Sequence, residues 1–226
     1  MSNRATEKPS DPHARSGGEK AGSRPYHHGD LQRALVDAGR RLLEREGSAA
    51  LSLRAVAREA GVSAAAPYHH FKDRAALLYA VAHEGHVALN DAVQTAFETS
   101  EPGQPRIVAV GVAYVSFALA NPALFRLMFD TTKLYENYAD AVEAEGQLPR
   151  LLAATFGASL PARRQDLDRH LAAIAGWAIF RGLAEVAQFR TLEPFKALLG
   201  GETAFLSAVL GRLDFSPRPK PDPAEP

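Results

Sequence analysis

Apolar residues recur every three or four positions through most of this chain, the period of a helix with one buried face. In "DLQRALVDAGRRLLEREG", Leu31, Ala34, Leu35, Ala38 and Leu42 fall on one face, with Asp30 as the expected N-cap and Gly47 as the stop. "LSLRAVAREAG" predicts a second, short helix with Leu53, Val56, Ala57 and Ala60 inward, Ser52 as cap and Gly61 as left-handed terminator. A third short helix is expected from Ser63 to about His70, capped by the Ser63 hydroxyl. Asp73 then caps a long helix through Leu77, Leu78, Val81 and Val93 to about Phe97.

The segment "TSEPGQP" interrupts this pattern. Beyond it the periodicity predicts helices over 105–120, 122–130, 134–157, 162–189 and 201–213, punctuated by Pro105, Pro122 and Pro161. Nothing alternates with the period of a strand, so the expected class is all-α. Residues 1–27 and 216–226 are polar and rich in Gly, Ser or Pro, and are expected to be a disordered arm and tail.

Composition narrows the classes. Apolar residues make up 46% of the 226, enough for a sizeable core, yet no apolar run reaches the length of a membrane span. There is no apolar leader at the N-terminus and no cysteine, which fits a cytoplasmic protein and removes disulfides, thiolate metal sites and cysteine nucleophiles. Net charge is zero, but residues 1–89 hold 13 Lys/Arg against 10 Asp/Glu, and residues 90–226 hold 13 against 16. That mild asymmetry permits a DNA-facing N-terminal part without requiring one.

The twice-broken helix "AREAGVSAAAPYHHFKDRAALLYAV" carries the functional signal. Gly61 can take a positive φ, which lets two short helices cross steeply, as in a helix-turn-helix. Tyr68, His69, His70, Lys72 and Arg74 supply the hydroxyl, imidazole, ammonium and guanidinium groups that contact phosphates. Phe71 is expected to fold back as an anchor. Pro67 forfeits a backbone hydrogen bond and should tighten or kink the third helix.

With its G-V-S turn, its Y-H-H-F end and its mutual spacings, "LSLRAVAREAGVSAAAPYHHFKDRAALL" resembles the N-terminal domain of the TetR family of bacterial transcriptional regulators. The likeness extends to a subgroup with "YHHGDL" before the first helix and a W-x-x-x-x-G helix, here Trp177 to Gly182. That subgroup usually has His where this chain has Phe180 and Arg181. The resemblance implies a three-helix DNA-binding domain over 28–88, joined by the long helix to a ligand-binding and dimerisation domain over 89–215.

It also implies roles. Arg54, Ser63, Ala64, Ala65, Tyr68, His69, His70, Lys72 and Arg74 would face DNA, with Arg74 on a phosphate at the start of the long helix. The last long helices carry Leu171, Ala172, Ala173, Ile174, Ala175, Gly176, Val186, Phe205, Leu206 and Val209. Of these, Ala172, Gly176, Phe205 and Val209 are the expected homodimer contacts. Tyr114, Phe117, Phe125, Met128, Phe129, Trp177, Phe180 and Arg181 are candidate walls of an inducer cavity, with Arg126 a second candidate anchor for an anion.

The expected protein is a repressor released from a palindromic DNA operator by a small apolar or amphipathic molecule. It needs no cofactor or metal and no membrane. Its rival is a helical metal- or small-molecule-binding protein that ignores DNA. His83 and His86 stand three apart on one helix, but "HEGH" lacks the third ligand of a zinc site and is not the zinc-protease H-E-x-x-H. No G-x-S-x-G, phosphate loop or nucleophile with paired acids points to an enzyme.

Overall fold

The computed structural model describes residues 28–100, 105–130 and 167–213. The arm at 1–27, the helix expected over 134–157 and the tail lie outside the described residues. Among those described there are eight α-helices and no strand. They are α1 (His28–Glu46), α2 (Leu53–Glu59), α3 (Arg74–Glu98), α4 (Arg106–Ala120), α5 (Pro122–Asp130), α6 (Leu167–Val186), α7 (Glu193–Leu199) and α8 (Glu202–Leu210).

Local chemistry sets most boundaries. The Ser52 hydroxyl accepts from the Ala55 N–H at 3.1 Å and opens α2. The Asp73 carboxylate accepts from the Ala76 N–H at 2.8 Å and opens α3. α1 begins at His28, two residues ahead of the expected Asp30 cap. α7 has no counterpart in the expected elements. It starts with Glu193 and Pro194 and ends on Gly200 at φ 90°, and buried Lys196 pairs with Glu193 at 2.9 Å and Glu202 at 3.6 Å to tie it to α8.

α1 packs on α2 and on the first half of α3, burying Leu35, Leu42, Leu43, Leu53, Val56, Leu77 and Val81. The second half of α3 packs on α4 and α5. α4 in turn meets α6 and α8, burying Tyr114, Phe180, Phe205, Leu206 and Leu210. A division at 88/89 therefore falls inside one unbroken helix that serves both halves. Among the described residues no single helix is long and apolar enough to cross a membrane; α4 and α5 reach that length only together, across a 106° bend.

Two glycines mark close helix approaches. A Cβ on Gly111 of α4 would stand 2.5 Å from the Phe180 ring and 2.8 Å from Leu210. On Gly85 of α3 it would meet the Met128 sulfur at 2.8 Å. A buried phenyl ring is rigid, whereas a methionine tip can turn aside. Gly111→Ala should therefore cost about 1–3 kcal/mol by overpacking, even after the ~1 kcal/mol of helix propensity it gains. Gly85→Ala should cost clearly less, and urea midpoints of the two variants check the ordering.

Candidate nucleic-acid interface and aromatic core

The turn after α2 is closed by its backbone. Gly61 sits at φ 70°, its N–H donates to the Arg58 carbonyl at 3.2 Å, and the Val62 N–H donates to the Ala57 carbonyl at 3.0 Å. This paired capping ends α2 and turns the chain sharply. The segment beyond it winds more tightly than an α-helix. Ala66–His69 form a 3₁₀ turn, with Ala66 N–H on the Ser63 carbonyl at 3.0 Å and Tyr68 N–H on the Ala65 carbonyl at 3.2 Å. Pro67 has no N–H to return to Ser63, so the four-residue ladder cannot form. The Ser63 hydroxyl caps nothing here; its carbonyl starts the turn instead.

Pro67 and Phe71 are buried and fasten this turn to the core. Arg54, Ser63, Ala64, Ala65, Tyr68, His69 and Lys72 are exposed, Tyr68 by 54% despite its ring. His70 departs from the expected outward set. Its ring lies 6.4 Å from that of Phe71, and its Nε2 is sealed from solvent without a hydrogen-bond partner.

Arg74, expected on a phosphate, turns part of its guanidinium inward. Its Nε donates to the Leu51 carbonyl at 2.7 Å and its Nη2 to the Ser48 carbonyl at 2.6 Å. It clamps the loop entering α2 to the start of α3. Beside it, Glu59 on α2 pairs with Arg45 at 2.8 Å and Arg41 at 3.4 Å on α1, and these partners, Arg45 first, hold its carboxyl below the ordinary range.

The candidate inducer residues converge on one aromatic cluster between α4, α5 and α6. The Tyr114 ring is 5.6 Å from Phe125 and 6.0 Å from Phe180, Phe125 is 4.9 Å from Phe129, and Phe129 is 6.4 Å from Trp177. The Arg181 guanidinium lies 4.8 Å from the Phe125 ring centre and 4.2 Å from that of Phe129. Met128 is fully buried and Phe117 half-buried against the same core. Arg126 is exposed and takes no part. Burial pushes the Tyr114 hydroxyl up to about 12, an effect that nearby Trp177 and Arg181 only moderate. Neither completes a hydrogen bond to it.

Three contacts join this cluster to the DNA-facing half, and periodicity alone gives no sign of them. Arg40 Nη2 on α1 donates to the Asn121 side-chain oxygen at 2.7 Å. Glu44 on α1 accepts from the Leu124 N–H at 2.9 Å and the Ala123 N–H at 3.3 Å, at the start of α5. On α3, buried His86 places Nε2 3.3 Å from the Met128 carbonyl, and its ring meets the Phe129 ring edge-on.

Of the expected dimer contacts, Phe205 and Gly176 are buried within the subunit, and half-buried Val209 packs against its core. The Ala172 side chain lies outside the described residues. The open apolar surface is elsewhere: Leu171 and Ile174 on α6 are 53% and 58% exposed, with Ala175, Ala178 and Val186 beside them.

An all-α arrangement with a backbone-closed helix-turn-helix, and a separate aromatic core tied to it, is the architecture of helix-turn-helix regulatory proteins. Residues 35–81 match the family model for bacterial regulatory proteins of the tetR family, and residues 107–205 match that for the tetracyclin repressor-like C-terminal domain. The chain belongs to the TetR family of helix-turn-helix regulatory proteins. A structure of a protein with unknown function from Rhodococcus sp. RHA1 is similar at 34% identity and a TM-score of 0.62, covering 84% of this chain and 96% of that one. An HTH-type transcriptional regulator of Mycobacterium tuberculosis is 28% identical over 141 residues. That match covers 62% of this chain and spans 60% of the relative's length. The crystal structure of AibR in complex with isovaleryl coenzyme A and operator DNA shares the fold at 16% identity and a TM-score of 0.55, over 81% of this chain and 97% of that one.

With Nε and Nη2 held by two carbonyls, Arg74→Ala should lower stability by about 1–2 kcal/mol, the discounted value of two part-exposed charged hydrogen bonds. It should weaken DNA binding only through a looser domain, leaving the slope of log affinity against log salt unchanged; melting and salt titration together test this. For His86, burial first, with His83 adding, lowers the imidazole from 6.5 to about 4. The unfolded chain then binds the proton more readily than the folded one between those values. Stability is full above about pH 6.5 and declines toward pH 4 by as much as about 3 kcal/mol. His86→Gln should flatten that part of a melting-temperature profile against pH.

Proposed function

We propose that the chain is a homodimeric transcriptional repressor. It binds a palindromic operator through the turn at 61–72 and is released when a small apolar or amphipathic molecule enters the core of α4, α5 and α6. It acts in the bacterial cytoplasm. The observation that carries this reading is the outward face of the turn: Arg54, Tyr68, His69 and Lys72 exposed around a rigid, proline-tightened anchor. Arg54 and Lys72 supply phosphate contacts, and His69 and Tyr68 reach base edges. Ala64 and Ala65 can offer only apolar contact, for instance to thymine methyls.

One such turn reads few bases, so two-fold pairing must supply a second half-site. The exposed stripe Leu171, Ile174, Ala175 and Ala178 on α6, with Ala204 and Ala208 exposed on α8, suits a four-helix interface in which small residues permit close approach. On this reading the dimer contact uses the opposite face from the one expected at Gly176 and Phe205. AibR, captured with both an acyl-coenzyme A and operator DNA, supports a ligand-responsive reading by analogy of fold.

The test begins by selecting DNA fragments of the source genome that the chain retains, then measuring variants on a retained site. Arg54→Ala should weaken all sequences about equally and reduce the salt slope by roughly 0.9 for each phosphate no longer neutralised. His69→Ala should relax preference at one or two positions, at about 1–3 kcal/mol per good contact. Ile174→Glu, exposed in the subunit, should leave folding intact but give monomers in sedimentation and lose the operator. Failure to retain any fragment, or a fully dimeric Ile174→Glu, overturns the corresponding part.

A further inference from the structure

We infer that the core of α4, α5 and α6 receives a small monoanion with an apolar body, a carboxylate whose charged end sits against Arg181 Nη1 and the Tyr114 hydroxyl. This rests on reading that core as the effector site. Donors outnumber acceptors there. Arg181 Nη1 and the Tyr114 oxygen are both sealed from solvent, and neither has a hydrogen-bond partner. A guanidinium and an indole are donors only, and a phenol carries one donor beside a single acceptor oxygen, toward which Trp177 and Arg181 both stand. Arg181, Trp177 and Tyr114 bring all three together, while Phe125, Phe129 and Phe180 around them offer no acceptor.

The described residues relieve this only in part. Arg181 Nη2 approaches Glu185 only to 3.7 Å, too long for a hydrogen bond, and Glu185 is turned toward solvent. The Phe125 and Phe129 rings favour the cation through their faces but leave its N–H groups unmet. A buried charged donor without an acceptor is expensive, and a planar carboxylate is the group that fits its fork. Among the described residues Arg181 is the only cation acting at the Tyr114 hydroxyl, with Glu185 acting against it from 3.7 Å beyond, and Arg126 faces away. That suits a monoanion and argues against a phosphate, which would call for a second cation. A cationic ligand would meet Arg181 directly.

The body of the ligand is set by the same wall. Phe129, Trp177 and Arg181 are half-buried while Tyr114, Phe125 and Phe180 are sealed, so the accessible side of the cluster is the one that Phe129 and Trp177 form. An aromatic ring or short alkyl chain would lie against those two rings with the carboxylate inward. It would then press on α5, the helix that Glu44 holds.

Calorimetric titration of the full chain with phenylacetate and octanoate, each beside its neutral amide, tests the assignment. At least one carboxylate should bind with a dissociation constant below about 1 mM and about tenfold or more tighter than its amide. Arg181→Met, checked for helicity by circular dichroism, should erase that preference, and Tyr114→Phe should reduce it by a smaller factor. No carboxylate binding, equal binding of the amides, or a preference that survives Arg181→Met would overturn the proposal. If Arg181→Met does not fold, the carboxylate-to-amide ratio on the unmodified chain decides alone. Operator release is measured separately. Carboxylate binding with no effect on DNA would sink the effector reading and leave the ligand class standing. DNA binding without carboxylate binding would sink the ligand class alone.

Discussion

Glu44 stands on α1, among the helices that carry the DNA-facing turn, yet its carboxylate is spent on α5. It accepts the first free N–H groups of that helix, from Ala123 and Leu124, where the helix dipole favours negative charge. One turn earlier on α1, Arg40 holds the Asn121 side chain, and Asn121 in turn donates to the Phe117 carbonyl at the end of α4. The α4–α5 corner is thus bolted to α1 at two points. That joint ties the aromatic core to the helices that carry the turn. Leu124, Phe125, Met128 and Phe129 all sit on the helix it holds, so the aromatic core cannot shift α5 without pulling α1 or breaking the contact.

A second connection runs through α3, which is 25 residues long and unbroken. Its first half is packed by α1, its second by α4 and α5. Gly85 lets α5 come close enough for Met128 to lie against the α3 backbone, and His86 meets the Met128 carbonyl one residue on. Packed interfaces of this density do not deform smoothly; they move between discrete arrangements. A push on Phe129 is therefore felt at both α1 and α3, the two helices that between them position the turn.

Much of this was legible in the sequence because the signals are local. Ser52 and Asp73 cap as their types predict, Gly61 takes its positive φ, and Pro67 tightens the turn as a residue without an N–H must. What escaped depends on direction. Arg74 occupies a helix start, where a phosphate contact is reasonable, but nothing local shows that its guanidinium turns back to the carbonyls of Ser48 and Leu51. His70 and Phe205 escaped for a related reason. Helices α6 and α8 are apolar on more than one face, so periodicity cannot say which face fills the core and which stays open. Burial assigns Phe205 to the first, and Ile174 to the second. Arg40 and Glu44 read as ordinary solvated charges on an amphipathic helix, since their partners lie about eighty residues away.

The modesty of the turn explains why such a joint suffices. Three alanines and a 3₁₀ winding leave few groups for base readout, so on the proposed reading affinity comes from phosphates and from two half-sites. Binding then requires both turns to stand at the operator's spacing at once. A ligand need not dismantle either turn; it need only bias each subunit toward a different setting of α1 and α3. The contacts at Asn121, Ala123, Leu124 and Met128 are few, each worth on the order of 1 kcal/mol, which matches the 1–3 kcal/mol typical of coupling between sites. In a dimer both subunits must be correctly set, so a bias of about 1.5 kcal/mol in each sums to about 3 kcal/mol, roughly 150-fold in operator affinity. A stiffer joint would transmit no more, because the ligand can shift the equilibrium only by its own difference in affinity for the two settings.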